Sequence, residues 1–473
     1  MAEHPWQTPD SNDDSDPLAA ILPDWSDPDG DEEDFRSDFF RGNAGRRTKA
    51  AVTLMMIWGS VIALHLVSWG IWLVVALTGI IGVNILRLTL AKPPAQPHPL
   101  TDDQLATASS VALVVAAKNE EAVVERLARQ LCAMDYPATH YDVWIIDDAS
   151  TDRTPEILDR LAQELPQLKV VHRPANAGGG KSGALNQIIP QIDRDVIAVF
   201  DADALVGRDL LRHVMPMFAD EQIGAVQVRK AIANAPENFW TKGQDLEMCL
   251  DSYFQQQRIA IGGIGELRGN GQFVRRSALV RCGNWNEETI TDDLDLTIRL
   301  HLDRWNIGFC LSPAIAEEGV TQAKALWHQR SRWAEGGYQR YLDYWRLIIQ
   351  NRMGVLKTWD LLCFVVLQYL LPTAAIPDLL MVILRHQAPV LSPLSALVFT
   401  FIGIGWITGL TRIQGRPAIA NLGLLITQLI RGYTYMFHWL VVMPATTARM
   451  AVRRKRLKWV KTVHGGSSLS VQS

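Results

Sequence analysis

DVIAVFDAD, residues 195–203, decides how the rest of the chain is read. Val196–Phe200 is an uninterrupted apolar run with no helical period, and it stops at two carboxylates, Asp201 and Asp203. That is the texture of a strand buried on both faces and ending in a polar loop. Side chains two apart in a strand, or just past its end, point the same way. Two carboxylates so placed can share one hard cation, and Mg²⁺ characteristically takes one or two carboxylates plus phosphate oxygens. An ordinary acidic turn has the same appearance, so the pair acquires meaning only from the rest of the chain.

Working outward, the texture on the N-terminal side of this strand is an alternation. VALVVAA (111–117) reads as a strand and Glu121–Met134 as a helix. DVWIIDD (142–148) and LKVVH (168–172) read as strands, with helices over Thr154–Leu165, Ser182–Ile192 and Asp209–Phe218. Strand–helix alternation predicts a parallel sheet with helices on both faces and ligands at the carboxyl ends of the strands. Asn119 and Glu120, Asp147 and Asp148, Asp201 and Asp203 all fall at such ends.

The remaining cytoplasmic-looking segments are less regular. Phe239–Gln256 reads as a helix, and the glycines of GNG (269–271) precede an apolar-basic turn, Phe273–Arg276. In TDDLDLTIRL (291–300), Thr291 is a good N-cap and Asp292 and Asp293 fill a first helical turn, where the dipole favours acid. Gln329-Arg330-Ser331-Arg332-Trp333 lies in a helix starting near Gln322. Beyond it, Tyr338, Tyr341, Leu342, Trp345, Ile348 and Ile349 recur at helical spacing among Arg340, Arg346 and Arg352. This predicts an interfacial amphipathic helix over 336–357. A surface helix packed on the catalytic domain has the same pattern.

Both flanks are membrane-like. Residues 1–45 are rich in Asp, Pro and Ser, with an acidic block at Asp29–Asp34, and predict a disordered tail without a secretory signal. Arg46, Arg47 and Lys49 then open an apolar stretch, Ala50–Leu86, closed by Arg87 and Lys92. A span needs about 20 residues, so 46–90 is expected to be a transmembrane hairpin turning at Ser68-Trp69-Gly70, with both ends cytoplasmic. A proline-rich linker (91–108) leads to the α/β domain, expected over 109–335. Apolar segments return within 358–445, at Leu361–Leu384, Leu394–Leu410 and Ile419–Met443. The basic tail, 446–473, should be cytoplasmic. Three full spans would put it on the wrong side, so one segment is expected to be re-entrant or to fold back, as Pro372 and Pro377 could make the first do.

The totals exclude some classes. At 473 residues the chain predicts about two or three units. A net charge of −4, with no domain-wide basic excess, leaves no nucleic-acid footprint. Five scattered cysteines without a CxxC pair read as reduced thiols.

A cytoplasmic α/β domain with strand-end carboxylates, a Gly-rich loop and an Arg/Trp motif, bracketed by membrane segments, suits displacement at a sugar carbon with a nucleoside diphosphate leaving. A metal on Asp201 and Asp203 would neutralise the diphosphate. Arg330 or Arg332 would add a guanidinium clamp. A carboxylate at 292 or 293 would act as general base. The loop NAGGGKSGALN (176–186) ends like a phosphate-binding GxxxxGK[ST] motif, but Ala175 stands where the first glycine belongs. Lys181 and the glycine backbone can still approach phosphate.

Ala117-Lys118-Asn119-Glu120, Asp147–Asp152, GGGKSGALN, Asp201-Ala202-Asp203, Thr291-Asp292-Asp293 and Gln329–Trp333 occur in the order of the family 2 glycosyltransferases, which include cellulose and hyaluronan synthases. The resemblance covers roughly Val111 to Trp333. It implies a GT-A fold, Rossmann-like and inserted here between transmembrane helices, and an inverting reaction. It implies Asn119, Glu120, Asp148, Lys181 and Asp201 on the donor, with Asp148 on the uracil. It further implies Asp203 with Asp201 on the metal, Asp293 as base beside Asp292, and Gln329, Arg330, Arg332 and Trp333 around acceptor and diphosphate. Asp292 stands where the family carries Glu, which shortens the side chain next to the base.

Over its whole length the chain resembles the cyanobacterial glucosyltransferases of glycolipid synthesis. That resemblance implies UDP-glucose as donor, 1,2-diacylglycerol as acceptor, Mg²⁺ or alternatively Mn²⁺, and a multi-pass place in the thylakoid and/or plasma membrane. A processive polysaccharide synthase uses the same chemistry, but the few C-terminal apolar segments leave little material for a polymer channel. A scaffold retaining an inactive transferase domain would not need its full set of carboxylates.

Overall fold

The computed structural model describes residues 45–415 and 417–452; nearly all of the expected acidic tail, and the basic residues from 453 onward, lie outside them. Helices α1 (Arg46–Leu66) and α2 (Gly70–Leu90) are separated by a turn at Val67–Trp69. Gly70 permits the turn, since a Cβ there would lie 2.0 Å from the Leu64 carbonyl oxygen. Both helices leave large apolar side chains exposed, among them Met55, Met56, Trp72 and Val83.

The α/β domain comes next. In chain order it holds β1 (Val111–Ala117), α3 (Val124–Leu131), β2 (Tyr141–Asp147), α4 (Thr154–Glu164), β3 (Leu168–His172), α5 (Gly180–Ile188), β4 (Val196–Phe200), β5 (Ile223–Ile232), α6 (Phe239–Ala260), β6 (Gln272–Arg275), α7 (Asp292–Leu302) and β7 (Asn306–Glu317). The sheet order is β3-β2-β1-β4-β6-β5-β7. Every residue of β4 is buried, as its unbroken apolar run requires. Val115 pairs with Phe200, and Ala117 with Asp147, so three parallel strands end at one rim.

The sheet is not wholly parallel. β6 runs antiparallel to both β4 and β5, where the sequence reading expected only a turn at Phe273–Arg276. A four-residue strand is too short for a period to show. Its pairing is made by tertiary contact: Gly271 N–H donates to the Val199 carbonyl at 2.9 Å.

After β7, α8 (Ala323–Ile349) runs as one helix of 27 residues. Residues 336–357 therefore do not form a separate interfacial helix. Tyr338, Leu342, Leu347 and Ile348 are buried against protein, and Tyr338 meets Tyr369 edge-on at 5.1 Å. Arg340 is buried too, 3.1 Å from Glu266. The arginines of an interfacial helix need headgroups, whereas this one has a carboxylate on the neighbouring domain. Arg46 of α1 likewise grips Asp343.

The C-terminal helices are α9 (Val355–Val365), α10 (Leu371–Arg385), α11 (Ser392–Gln414), α12 (Leu422–Met436) and α13 (Trp439–Val452). α9 and α10 continue one another through a π turn, Val366–Leu370. Among the described residues four helices are long and apolar enough to cross a membrane: α1, α2, the α9–α10 unit and α11. The segment 419–443, read as one apolar stretch, is broken near Phe437–His438, and α13 turns back onto α1, α8 and α10. The break thus falls in the last segment, while the one carrying Pro372 and Pro377 stays continuous.

Candidate active site

Past β4, the chain turns at Asp201–Ala204, with Ala204 N–H donating to the Asp201 carbonyl at 3.0 Å. Leu205 and Ala316 exchange backbone hydrogen bonds of 2.8 and 3.1 Å, which lash this loop to the end of β7. Glu317 and Glu318 are thereby brought to the rim, and Glu318 N–H donates to Asp203 Oδ2 at 3.4 Å. On the other side, Asp201 N–H donates to Asn270 Oδ1 at 3.3 Å, seating the glycine-flanked loop 269–271 against the strand end. A Cβ on Gly269 would lie 3.5 Å from Asp293 Oδ2, so the start of α7 faces the same loop.

These elements wall a cavity of about 1180 Å³. Of the residues singled out from the sequence, it is lined by Glu120, Asp148, Lys181, Asp201, Asp203, Asp292, Asp293, Gln329, Arg332 and Trp333. Asn119 is not in its wall; its Oδ1 accepts the Thr151 N–H at 2.7 Å and shapes the neighbouring loop. Arg330 is not in its wall either. Its guanidinium turns away to Glu247 and the Tyr435 hydroxyl, and stacks 3.9 Å from the Trp333 ring. Of the two candidate clamps, Arg332 is therefore the one at the cavity. Thr291 makes no side-chain cap; its Oγ1 is buried against Gly336, where a Cβ would clash.

The electrostatics are those of an interlocked set. Lys181 Nζ lies 2.6 Å from Asp201 Oδ1. Burial alone would push that lysine down, but Asp201, Asp292 and Asp293 hold it above its usual range. Burial would raise Asp201, yet Lys181, with Lys230 and Arg332 behind it, keeps the carboxyl below its usual range. Asp293 goes the other way. Burial and then the adjacent Asp292 push it up to about 6, against Lys181 and Arg268. Asp293, poised near neutrality, and Asp201, held ionised by its cations, line the same cavity, an arrangement that separates a base from an electrostatic anchor.

Several groups escaped the sequence reading. Lys230, at the end of β5, lines the cavity 2.7 Å from Glu317. Arg173, just past β3, grips Asp148 and donates to the Gly178 carbonyl at 2.6 Å, joining the two donor-side loops. The signal for Arg173 was available: it occupies the same strand-end position as the carboxylates. Lys230 carried no such signal, because β5 itself went unread.

The oxygens of Asp201 and Asp203 suit a hard cation, and Asp292 Oδ2 is buried without a hydrogen-bond partner among the described residues. No three described His, Cys, Asp or Glu side chains are grouped to hold an ion by themselves. A cation here would need further oxygens from a ligand, which is the Mg²⁺ habit of leaving coordination to phosphate.

The wall of the cavity does not end with polar groups. It continues along Leu367, Leu371, Leu391, Phe401, Leu440 and Met443 of the apolar helices.

A mixed sheet of this order, with an acidic loop after β4 and cations facing it, defines a GT-A nucleotide-diphospho-sugar transferase. The glycosyltransferase-like family 2 profile matches residues 108–336. The chain is 58% identical over 472 residues to the β-monoglucosyldiacylglycerol synthase of a Synechocystis strain, covering 99% of this chain and 98% of that one. It is 56% identical over 470 residues to the synthase of that name from Trichormus variabilis, covering 99% and 100%. Among solved structures, a mannosyltransferase from Pyrobaculum calidifontis, in complex with GDP-Man and Mn²⁺, superposes with a TM-score of 0.56 at 20% identity, over 83% of this chain and 99% of that one. The chain belongs to the β-monoglucosyldiacylglycerol synthases, within the family 2 glycosyltransferases.

Proposed function

We propose that this glucosyltransferase moves glucose from UDP-glucose to the free hydroxyl of 1,2-diacylglycerol with inversion, at the cytoplasmic face of the membrane. The observation that carries this reading is the continuity of one cavity from the acidic strand ends into the apolar helices. A sugar nucleotide needs the first end and acyl chains need the second. The relatives' name, a synthase of β-monoglucosyldiacylglycerol, points the same way.

In this reading Asp148, oriented by Arg173, receives the uracil. Lys181 and Arg332 face the diphosphate, where fixed positive charge stabilises the leaving group as it departs. Asp203 and Asp201 would hold Mg²⁺ or Mn²⁺, which would supply further charge neutralisation to that diphosphate. Asp293 takes the proton of the lipid hydroxyl while its oxygen forms the new bond to the sugar's anomeric carbon. The bond from that carbon to the diphosphate breaks, and the electron pair leaves with UDP. Gln329 and Trp333 border the reacting groups. The basic residues Arg46, Arg47 and Lys49 on one flank and Arg449 on the other support a cytoplasmic position for these helix ends.

Membranes incubated with sugar-labelled UDP-glucose test the reading. Label should partition into organic solvent as a single-sugar lipid, and unlabelled UDP-galactose should compete poorly. Label retained in an insoluble, high-mass fraction would indicate a polymer instead.

A further inference from the structure

Lys230 and Glu317 line the cavity, yet neither has a part in the transfer described above. Lys230 stands in β5 and Glu317 closes β7, the parallel neighbour of β5; Nζ of the one lies 2.7 Å from Oε2 of the other. Asn270 Nδ2 donates to the same Oε2 at 3.4 Å. The second oxygen, Oε1, takes no hydrogen bond from a described residue, and the side chain keeps 13% of its surface open. Glu266 makes the contrast: Arg258, Arg268 and Arg340 enclose it, and none of its surface is left to a ligand. Glu317 has an acceptor oxygen to spare.

Contacts on either side locate this carboxylate. The Asn270 side chain that reaches it also accepts the Asp201 N–H, at 3.3 Å. Lys230 Nζ lies 3.5 Å from the carbonyl oxygen of Arg268, which precedes Gly269, the residue facing Asp293. Trp333 bounds a third side, with its ring 5.8 Å from Lys230 Nζ. The charges describe the same place. Burial pulls Lys230 down, but Glu317 first, then Asp201 and Asp293, hold it above its usual range. In a single displacement the diphosphate departs on the Asp201 side and the acceptor oxygen arrives on the Asp293 side. Between them lies a sugar ring, whose hydroxyls are donors in need of acceptors.

We propose that Glu317, held by Lys230, is a specificity-determining residue whose Oε1 accepts a hydrogen bond from one hydroxyl of the transferred sugar. The inference rests on the UDP-glucose reading above. An ionised carboxylate accepts only, and its bonds to hydroxyls are among the strong ones. A site built to bind a hydroxyl rejects the analogue lacking it, because the protein group is then left unpaired. The Trp333 ring offers no comparable means of telling one hydroxyl from another.

The test compares UDP-glucose with its monodeoxy analogues, each lacking one sugar hydroxyl, on the full-length enzyme with Mg²⁺ and dioleoylglycerol. In the wild type, kcat/KM for one analogue should fall by about 10–100-fold, the value of one hydrogen bond to a charged group. Glu317→Gln should lose about the same factor with UDP-glucose and use that analogue nearly as well. Inhibition by UDP, which carries no sugar, should stay within about twofold of wild type, since the lost bond is worth only what the sugar supplied. A Glu317→Gln enzyme that keeps the wild-type preference overturns the proposal. So does equal weakening of UDP and UDP-glucose, which would put the carboxylate on the diphosphate or its metal. Where this variant does not fold, Glu317→Asp keeps the charge beside Lys230 and withdraws the carboxylate by one methylene. It should narrow the same preference, and full preference in it, or equal use of every analogue by the wild type, overturns the assignment. A wild type that glucosylates no lipid sinks the acceptor reading instead, and isothermal titration of the same donors then decides on Glu317.

Discussion

The two ends of the cavity are built on different principles. At the strand ends, functional groups come from short local motifs, and each is placed by the strand that precedes it. Asp201 follows β4, Asp148 follows β2, and Lys181 opens α5. Around the apolar helices, by contrast, polar side chains are placed by partners far away in the chain. Arg330 is held by Glu247, Arg258 by Asp360, Arg46 by Asp343, and His65 lies 2.6 Å from Asp378. A local motif tolerates loss of one member as a loss of chemistry. A distant pair fails as structure, because breaking it leaves a charge buried and unpaired.

That contrast predicts where activity and stability separate. The largest effect is expected from the metal: stripping divalent cations with EDTA should abolish turnover, and Mn²⁺ or Mg²⁺ should restore it, whereas an Asp203→Ala variant should recover little at any concentration. Asp293→Asn should lower kcat by about 10²–10⁴-fold while leaving UDP binding near wild type, as isothermal titration would show. If donor binding falls as steeply as kcat, the residue is not the base.

Arg332→Ala and Arg330→Met, two residues apart on α8, form the sharpest comparison. The first should cost activity, about 10²-fold, with little change in Tm. The second should destabilise the protein by about 3–5 kcal/mol, seen as early unfolding in detergent. The reverse pattern would erase the distinction between the two ends.

The smallest effect is in pH. With Asp293 raised to about 6, kcat/KM should fall as pH drops through 6 and the base is protonated. Stability of the metal-free protein should move the other way. A carboxylate raised above its unfolded value of about 3.9 leaves the folded state holding more protons between those two pH values. Stability is therefore gained as pH falls through about 6 and lost as it rises again. Asp293→Asn should remove the acid limb of the activity profile and raise Tm slightly.

Much of the polar end was legible because β-strands announce themselves over a few residues, and the loop after a buried parallel strand faces the ligand edge. The failures have physical reasons as well. β6 has four residues and is defined by its pairing with β4 and β5, distant in sequence. Arg330 and Arg332 look alike in QRSRW, yet helical phase turns one to Glu247 and the other to the cavity. The aromatic-basic pattern of 338–349 is shared by an interfacial helix and by a helix clamped between a domain and its membrane helices; distant partners decide between them, among them Glu266, 74 positions before Arg340 in sequence.

By itself, the sequence determined the α/β alternation, the acidic strand ends and the apolar flanks, because each depends on interactions within one segment and on its preference for water or hydrocarbon. Tertiary structure alone decided that the sheet is mixed, that the last apolar segment breaks in two, and that the acidic strand ends and the apolar helices share one cavity. Those outcomes depend on which distant charge lies within reach, a property of the folded chain and of no segment in it.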